Sequence, residues 1–228
     1  MNFQKYFILK TFLLTLILVQ CKPSNKPADV KDTSSSTSEK ATTTVEKKNI
    51  LFFGNSLTAA LGIDPALGFA GLIGKRLDSL GLPYKVTNAG LSGETTAAGK
   101  ERVAWILKQP VDIFVLELGG NDALRGIKPD ASYQNLQSII DQVKMTYPNC
   151  KIVLAGMQAP VNMGATYSKA FKGNYPTLAK ANHLTLIPFL LEGVGGEAKL
   201  NQADGIHPTA EGHRIIAEGI WKVLKTVL

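Results

Sequence analysis

Residues 49–58 read Asn-Ile-Leu-Phe-Phe-Gly-Asn-Ser-Leu-Thr. Ile50 to Phe53 is an unbroken apolar run, as expected of a strand covered on both faces. A glycine, an amide and a hydroxyl follow it with no spacer. Such an exit is either a tight turn in which Ser56 caps a helix, or the presentation of a nucleophile. The choice depends on the sheet to which this strand belongs.

Working outward, short apolar runs alternate with longer stretches of helical period. Phe69, Leu72, Ile73, Leu77 and Leu80 have helical spacing within 68–80, and Gly81 suits the C-terminal end of that helix. Tyr84–Thr87 reads as a second strand and Ala97–Lys108 as a second helix, closed before Pro110. Val111–Leu118 (VDIFVLEL) is a third strand. Asp130–Tyr147 is a helix ended by Pro148. Lys151–Met157 is a fourth strand. Ser168–Ala181 is a helix that Pro176 should kink or break. Leu184–Phe189 is a fifth strand, and Thr209–Val227 closes the chain as an amphipathic helix. This βαβαβαβαβα order predicts an α/β fold: a three-layer α/β/α sandwich around a five-stranded parallel sheet, flavodoxin-like, with right-handed crossovers. Ligands of such sheets bind beyond the carboxyl ends of the strands, so the strand-exit loops are where function is sought.

The first 47 residues stand apart from this pattern. Residues 1–20 have a signal-peptide layout: Lys5 and Lys10, then an apolar stretch from Phe12 to Val19. That stretch is shorter than the roughly 20 residues a membrane span needs. Leu18-Val19-Gln20-Cys21 resembles a bacterial lipobox, which implies cleavage before Cys21 and lipidation of its thiol. Residues 21–47 have almost no large apolar side chain and are expected to be a disordered polar tether. The folded domain, on this reading, is 48–228. Lys22 in place of Asp after the cysteine favours the outer over the inner membrane, so the expected location is the bacterial cell envelope, periplasmic or outer-membrane, anchored through Cys21.

The chain's net charge of +7 splits into +3 for residues 1–47 (seven Lys against four Asp and Glu) and +4 for the rest (18 basic against 14 acidic). No Arg/Lys block occurs, and nucleic-acid binding is excluded on that ground. Cys21 and Cys150 are the two cysteines. Cys150 precedes an apolar strand and reads as a buried structural thiol without a partner. No cysteine spacing for a metal is present.

Four exit segments carry chemistry: Gly54-Asn55-Ser56-Leu57-Thr58; Asn88-Ala89-Gly90-Leu91-Ser92-Gly93-Glu94-Thr95; Gly119-Gly120-Asn121-Asp122; and Asp204-Gly205-Ile206-His207-Pro208, which leads into the last helix. In the predicted fold all four share one edge of the sheet. A serine hydroxyl needs a base to become a nucleophile, and His207 can be that base. Asp204 can fix the imidazole tautomer. The Ser56 and Gly93 amides and the Asn121 side chain can donate to an oxyanion. These are the parts needed for acyl transfer.

The four segments resemble the blocks of the SGNH (GDSL) hydrolase family, in the family's order. GNSLT stands for its GDSL block, SGET for the glycine block, GGND for the asparagine block and DGIHP for the Asp-x-x-His block. ELGGNDALRG, YPTLAK and DGIHPTAEGH are most similar to its thioesterase, lysophospholipase and arylesterase branch. The resemblance implies Ser56 as nucleophile, Asp204 and His207 as orienter and base, and Ser56, Gly93 and Asn121 as oxyanion hole. It also implies no metal or organic cofactor, and a small-molecule ester or lipid substrate. The expected activity is hydrolysis of lysophospholipid, short-chain or aryl esters, with thioesters feasible, by a monomer. Asn55 departs from the family's Asp, and Asn55→Asp is expected to change the rate less than tenfold.

Two rival functions share this scaffold: a carbohydrate O-acetylesterase of envelope glycans, and a non-catalytic surface-binding module. A panel of acetylated sugars against lysophosphatidylcholine separates the first, and activity lost in Ser56→Ala excludes the second. The α/β-hydrolase elbow GxSxG is absent. Glu94 and Asp122 could form a glycosidase carboxylate pair, but that would leave Ser56, Asn121 and His207 unused, so they read as loop buttresses. His183 and His213 have no block around them and read as structural or surface residues.

Overall fold

The computed structural model describes residues 46–228. The signal segment, Cys21 and nearly all of the spacer lie outside the described residues. Five parallel strands run β1 (Lys48–Gly54), β2 (Tyr84–Gly90), β3 (Ile113–Glu117), β4 (Lys151–Ala155) and β5 (Thr185–Ile187). Their order in the sheet is β2-β1-β3-β4-β5. The helices are α1 (Phe69–Ser79), α2 (Thr96–Ile106), α3 (Gly120–Leu124), α4 (Pro129–Thr146), α5 (Ala165–Asn182) and α6 (Ala210–Leu224). Helices α1 and α6 pack together on one face, and α2, α4 and α5 cover the other. This is the expected three-layer sandwich.

The apolar runs explain the layering. Ile50, Leu51, Phe52 and Phe53 are at most 1% exposed, because successive side chains of β1 enter opposite layers. Phe52 meets Phe69 of α1 at 5.8 Å between ring centroids, and the Arg102 guanidinium of α2 lies 4.2 Å from the Phe53 ring. Burial on both faces leaves no polar side for a strand to alternate with, which is why these strands read as continuous apolar stretches. The last helix sends Ile216, Ala217, Ile220 and Leu224 inward, at the spacing its sequence predicts.

Differences from the sequence-based boundaries have local causes. β2 runs three residues beyond Thr87, to Gly90. Asn88, Ala89 and Gly90 give no apolar signal, yet they pair in register with Phe52, Phe53 and Gly54. The third and fourth strands end earlier than expected, though Val111, Leu118 and Met157 remain buried beside them. The fifth strand is only Thr185–Ile187. The Gly119-Gly120-Asn121-Asp122 segment is not a plain turn but opens the one-turn helix α3. Pro176 does not end α5, which continues to Asn182. There the Thr177 hydroxyl donates to the Gly173 carbonyl at 2.8 Å, engaging a carbonyl close to the break that proline makes in the helical bond pattern. Cys150 is half-buried rather than buried, and desolvation pushes its thiol up to about 12, so it is an unreactive thiol.

The two other histidines are structural or exposed, as expected. His183 is exposed and ends α5 in the left-handed conformation, φ 55°. His213 is 1% exposed, and its Nδ1 accepts the Phe69 N–H at 3.2 Å. It thereby satisfies the first free donor of α1. Desolvation, helped by the charge of His207, pushes its pKa down to about 4, so it is neutral when it accepts.

Candidate active site

Parallel strands place every exit loop at the same sheet edge, and the sheet register decides which loops meet. β1 lies inside the sheet, next to its edge strand β2, and is flanked by β2 and β3. The loops carrying Ser56, Gly93 and Asn121 therefore leave three adjacent strands. The loop before α6 reaches the same place by its own pins. Gln202 donates from its backbone N–H to the His207 carbonyl at 2.7 Å, and from its side chain to the carbonyls of Leu61 (2.7 Å) and Pro208 (3.0 Å). One amide thus ties the histidine loop to the segment just after Ser56.

The result is a continuous chain of contacts. Ser56 Oγ lies 2.9 Å from His207 Nε2, and His207 Nδ1 lies 2.6 Å from Asp204 Oδ2. Ser56 and His207 are 151 residues apart in sequence. The other Asp204 oxygen accepts the backbone N–H groups of Ile206 (2.9 Å) and His207 (3.0 Å). These bonds, the His207 backbone N–H foremost, hold the Asp204 carboxyl far below the usual carboxylate range. Asp204 stays ionised although nearly half of its side-chain surface, 45%, faces solvent. His207 is the more enclosed partner, at 18%.

The candidate donors come from the exits of β1, β2 and β3. Among the described residues, the backbone N–H groups of Ser56 and Gly93 donate to no protein acceptor. Gly93 sits at φ +81°, a conformation that favours glycine. Asn121 opens into the same region from α3, and its side-chain amide donates one hydrogen to the Glu94 carbonyl at 3.0 Å. That bond orients the amide and leaves its second hydrogen unassigned. Three donors of this kind can stabilise the oxyanion of a tetrahedral intermediate.

The two carboxylates expected to buttress loops do so. Glu94 is 3% exposed and receives Arg102 Nε and Nη2, both at 2.6 Å. Arg102 also donates to the Ala89 carbonyl at 2.9 Å. The glycine loop is thus clamped to α2 at one end and to Asn121 at the other. Asp122, fully buried, accepts the Thr96 N–H at 2.9 Å, the Thr96 hydroxyl, and the Ser132 hydroxyl at 3.0 Å. It joins α2, α3 and α4.

Sequence reasoning did not single out Glu117, Thr58, Arg102 or Gln202. Glu117 carried a signal, being an acidic residue inside an apolar run read as a buried strand. Gln202 carried none. A cavity of about 550 Å³ between the starts of α4 and α5 is lined by Lys128, Pro129, Met163, Tyr167 and Ala170, among others, and by none of the candidate site residues. Among the described residues no three His, Cys, Asp or Glu side chains are grouped so as to hold a metal ion.

Comparison with known proteins gives a consistent picture. Residues 52–215 match the model of the GDSL-like lipase/acylhydrolase family. Esterase TesA of Pseudomonas aeruginosa is 40% identical over 182 residues, which is 79% of this chain and 90% of that protein. The crystal structure of TesA aligns with a TM-score of 0.76, covering 79% of this chain and all of the other. Thioesterase 1/protease 1/lysophospholipase L1 of Escherichia coli (strain K12) is 35% identical over 180 residues, 78% of this chain and 84% of that protein. The structure of AlinE4, an SGNH-hydrolase family esterase, is 37% identical with a TM-score of 0.67, covering 81% and 98% of the two chains.

Proposed function

The chain belongs to the GDSL-like lipase/acylhydrolase family and is a serine ester hydrolase, and from that premise we propose that Ser56 is its nucleophile, His207 its general base and Asp204 the orienter of His207. The observation that carries this reading is the contact chain from Ser56 Oγ through His207 to Asp204, at 2.9 and 2.6 Å.

His207 Nε2 takes the hydroxyl proton as Ser56 Oγ attacks the ester carbonyl carbon. The carbonyl oxygen becomes an oxyanion facing the N–H groups of Ser56 and Gly93 and the Asn121 amide. The ester C–O bond then breaks, and the leaving alcohol carries away the proton held by His207. A water molecule, deprotonated by the same nitrogen, attacks the acyl-serine carbonyl; the C–Oγ bond breaks, His207 returns the proton to Ser56 Oγ, and the acid is released. Asp204 keeps the Nδ1 proton in place throughout, so Nε2 is free to accept.

The substrates fit esters with an apolar acyl or aryl part, lysophospholipids included, and thioesters by the same chemistry. Leu61, Leu91 and Ile206 are large apolar side chains left 43–50% exposed on the loops that carry Ser56, Gly93 and His207, and Leu124, 48% exposed, ends α3, which carries Asn121. The names of the relatives point the same way, since TesA is an esterase and the Escherichia coli protein a thioesterase and lysophospholipase. We place the enzyme in the bacterial envelope, held by a lipid on Cys21; the lipobox-like Leu18–Cys21 and the polar composition of 22–47 support this.

The test is covalent trapping. A fluorophosphonate should label the purified protein once, with the label mapping to the peptide that contains Ser56. Ser56→Ala should take no label and should lose at least a thousandfold in p-nitrophenyl ester hydrolysis. Equal rates for the two proteins would refute the assignment.

A further inference from the structure

Under the Ser56 turn lies a carboxylate that the hydrolytic cycle does not use. Glu117 ends β3 in register with Gly54 and is 1% exposed. Its Oε2 accepts the Asn55 backbone N–H at 3.1 Å and the Thr58 hydroxyl at 2.8 Å. Its Oε1 accepts the Asn55 side-chain amide at 2.8 Å. The oxygen of that amide accepts the Leu57 N–H at 2.9 Å and lies 3.5 Å from Ser56 Oγ. Residues 55, 57 and 58 are thus held, directly or through one amide, by a single side chain, and Ser56 is bracketed between them. The approach depends on Gly54, where a Cβ would stand 2.5 Å from Glu117 Oε2.

The character of these partners fixes which chemistry suits the site. Two of the three groups that meet Glu117 are N–H donors and the third is a hydroxyl, a set that favours the carboxylate. Burial opposes ionisation and pushes its pKa up to about 7, against the pull of the bonds from Thr58 and Asn55. The other ionisable groups nearby do not relieve this. Tyr175 of α5 donates its hydroxyl to the Leu118 carbonyl and has its own ionisation raised by burial and by the charges of Asp122 and Glu117. His207 lies beyond Ser56. From β1's exit come only the neutral Asn55 and Thr58.

We propose that Glu117 is a positioning residue for the nucleophile, acting through Asn55 and Thr58, and that the amide at 55 supplies a donor matched to this carboxylate. The inference rests on Ser56 being the nucleophile. An aspartate at 55 would set two carboxylates face to face at about 2.8 Å, a pair that must share one proton. Glutamine at 117 would set two amide donors face to face. Combining Asn55→Asp with Glu117→Gln restores every bond, with the one between the two side chains reversed. The new amide at 117 accepts through its oxygen what Glu117 Oε2 accepted, and its nitrogen donates to the new carboxylate at 55.

The experiment is this four-protein cycle, with kcat, KM and pH profiles on a soluble p-nitrophenyl ester and thermal midpoints as a folding control. Glu117→Gln should lower kcat ten- to a hundredfold with KM within about twofold. Asn55→Asp should stay within tenfold at pH 6 and lose a further tenfold by pH 9, on an alkaline limb that the native enzyme lacks. The double variant should recover kcat to within about threefold and lose that limb. If Glu117→Gln does not fold, the disappearance of the alkaline limb between Asn55→Asp and the double variant still decides. A Glu117→Gln enzyme equal to the native one, or a double variant no better than its worse parent, overturns the proposal. Fluorophosphonate labelling separates the two readings: label on Ser56 with a failed cycle removes the role of Glu117 alone, and label elsewhere removes the nucleophile assignment and this proposal with it.

Discussion

Asp204 shows how a half-exposed residue can hold a fixed role. Solvent weakens its field at His207, but its two oxygens divide the work: one accepts two backbone N–H groups and the other faces Nδ1. Because those bonds depress its pKa, Asp204 remains a carboxylate as pH falls through 4, and the acid limb of kcat/KM should not carry its ionisation. In Asp204→Asn the amide oxygen can keep both backbone bonds, while the amide nitrogen opposes Nδ1. That selects the tautomer with the proton on Nε2, where it cannot accept from Ser56. We expect kcat to fall roughly 10²- to 10⁴-fold with KM little changed, read from steady-state kinetics. Ser56, Asp204 and His207 were legible in the sequence because each sits in a short polar block between apolar runs. Glu117 showed only as an acidic residue inside an apolar run, and its role was not legible because the linear pattern does not pair it with its partners. Gln202 makes its contacts through chain closure, which composition does not encode.

Among the elements, the β2–α2 connection depends most on one pair. Arg102 lies over the Phe53 ring and grips Glu94 with two bonds, and the Glu94 carbonyl in turn orients Asn121. Removing the cation alone leaves a buried carboxylate without its partner, a change that typically costs about 3–5 kcal/mol. Arg102→Met should therefore lower the urea unfolding free energy by about 3 kcal/mol. It should also reduce kcat more than it raises KM, since the donor loop loses its clamp. Adding Glu94→Gln should restore part of the stability, because the charge without a partner is then gone. Element type was readable from periodicity for the five strands and the five longer helices, and there the errors were of extent. β2 gained Asn88–Gly90 through pairing with β1, a tertiary effect acting on residues with no strand preference of their own. α3 was missed because one helical turn rich in glycine looks like a bend. Pro176 failed to end α5 because buried neighbours, Phe171, Tyr175 and Leu178, hold the helix across the missing bond.

At the scale of the molecule, two buried groups give stability opposite pH slopes. Glu117 has a raised pKa, so its contribution is full below about pH 4.5 and is lost as pH rises through about 7. His213 has a depressed one, so its contribution is full above 6.5 and is lost as pH falls through about 4. Each slope is worth at most about 3 kcal/mol, and across pH 5 to 6.5 they largely cancel. Unfolding free energy measured in urea should be level to within about 1 kcal/mol over that interval. His213→Gln keeps an acceptor for the Phe69 N–H and removes the titration. Its stability should fall as pH rises from 5 to 7, by roughly 2 kcal/mol.

The pin between Gln202 and Leu61 has a consequence for biogenesis. The hydroxyl leaves the ribosome early and the imidazole almost last, and they meet only when the segment ahead of α6 has docked. During refolding, recovered turnover should therefore lag behind recovered ellipticity. Esterase assays on this protein then serve as a clock for the final assembly step, not for collapse of the sheet.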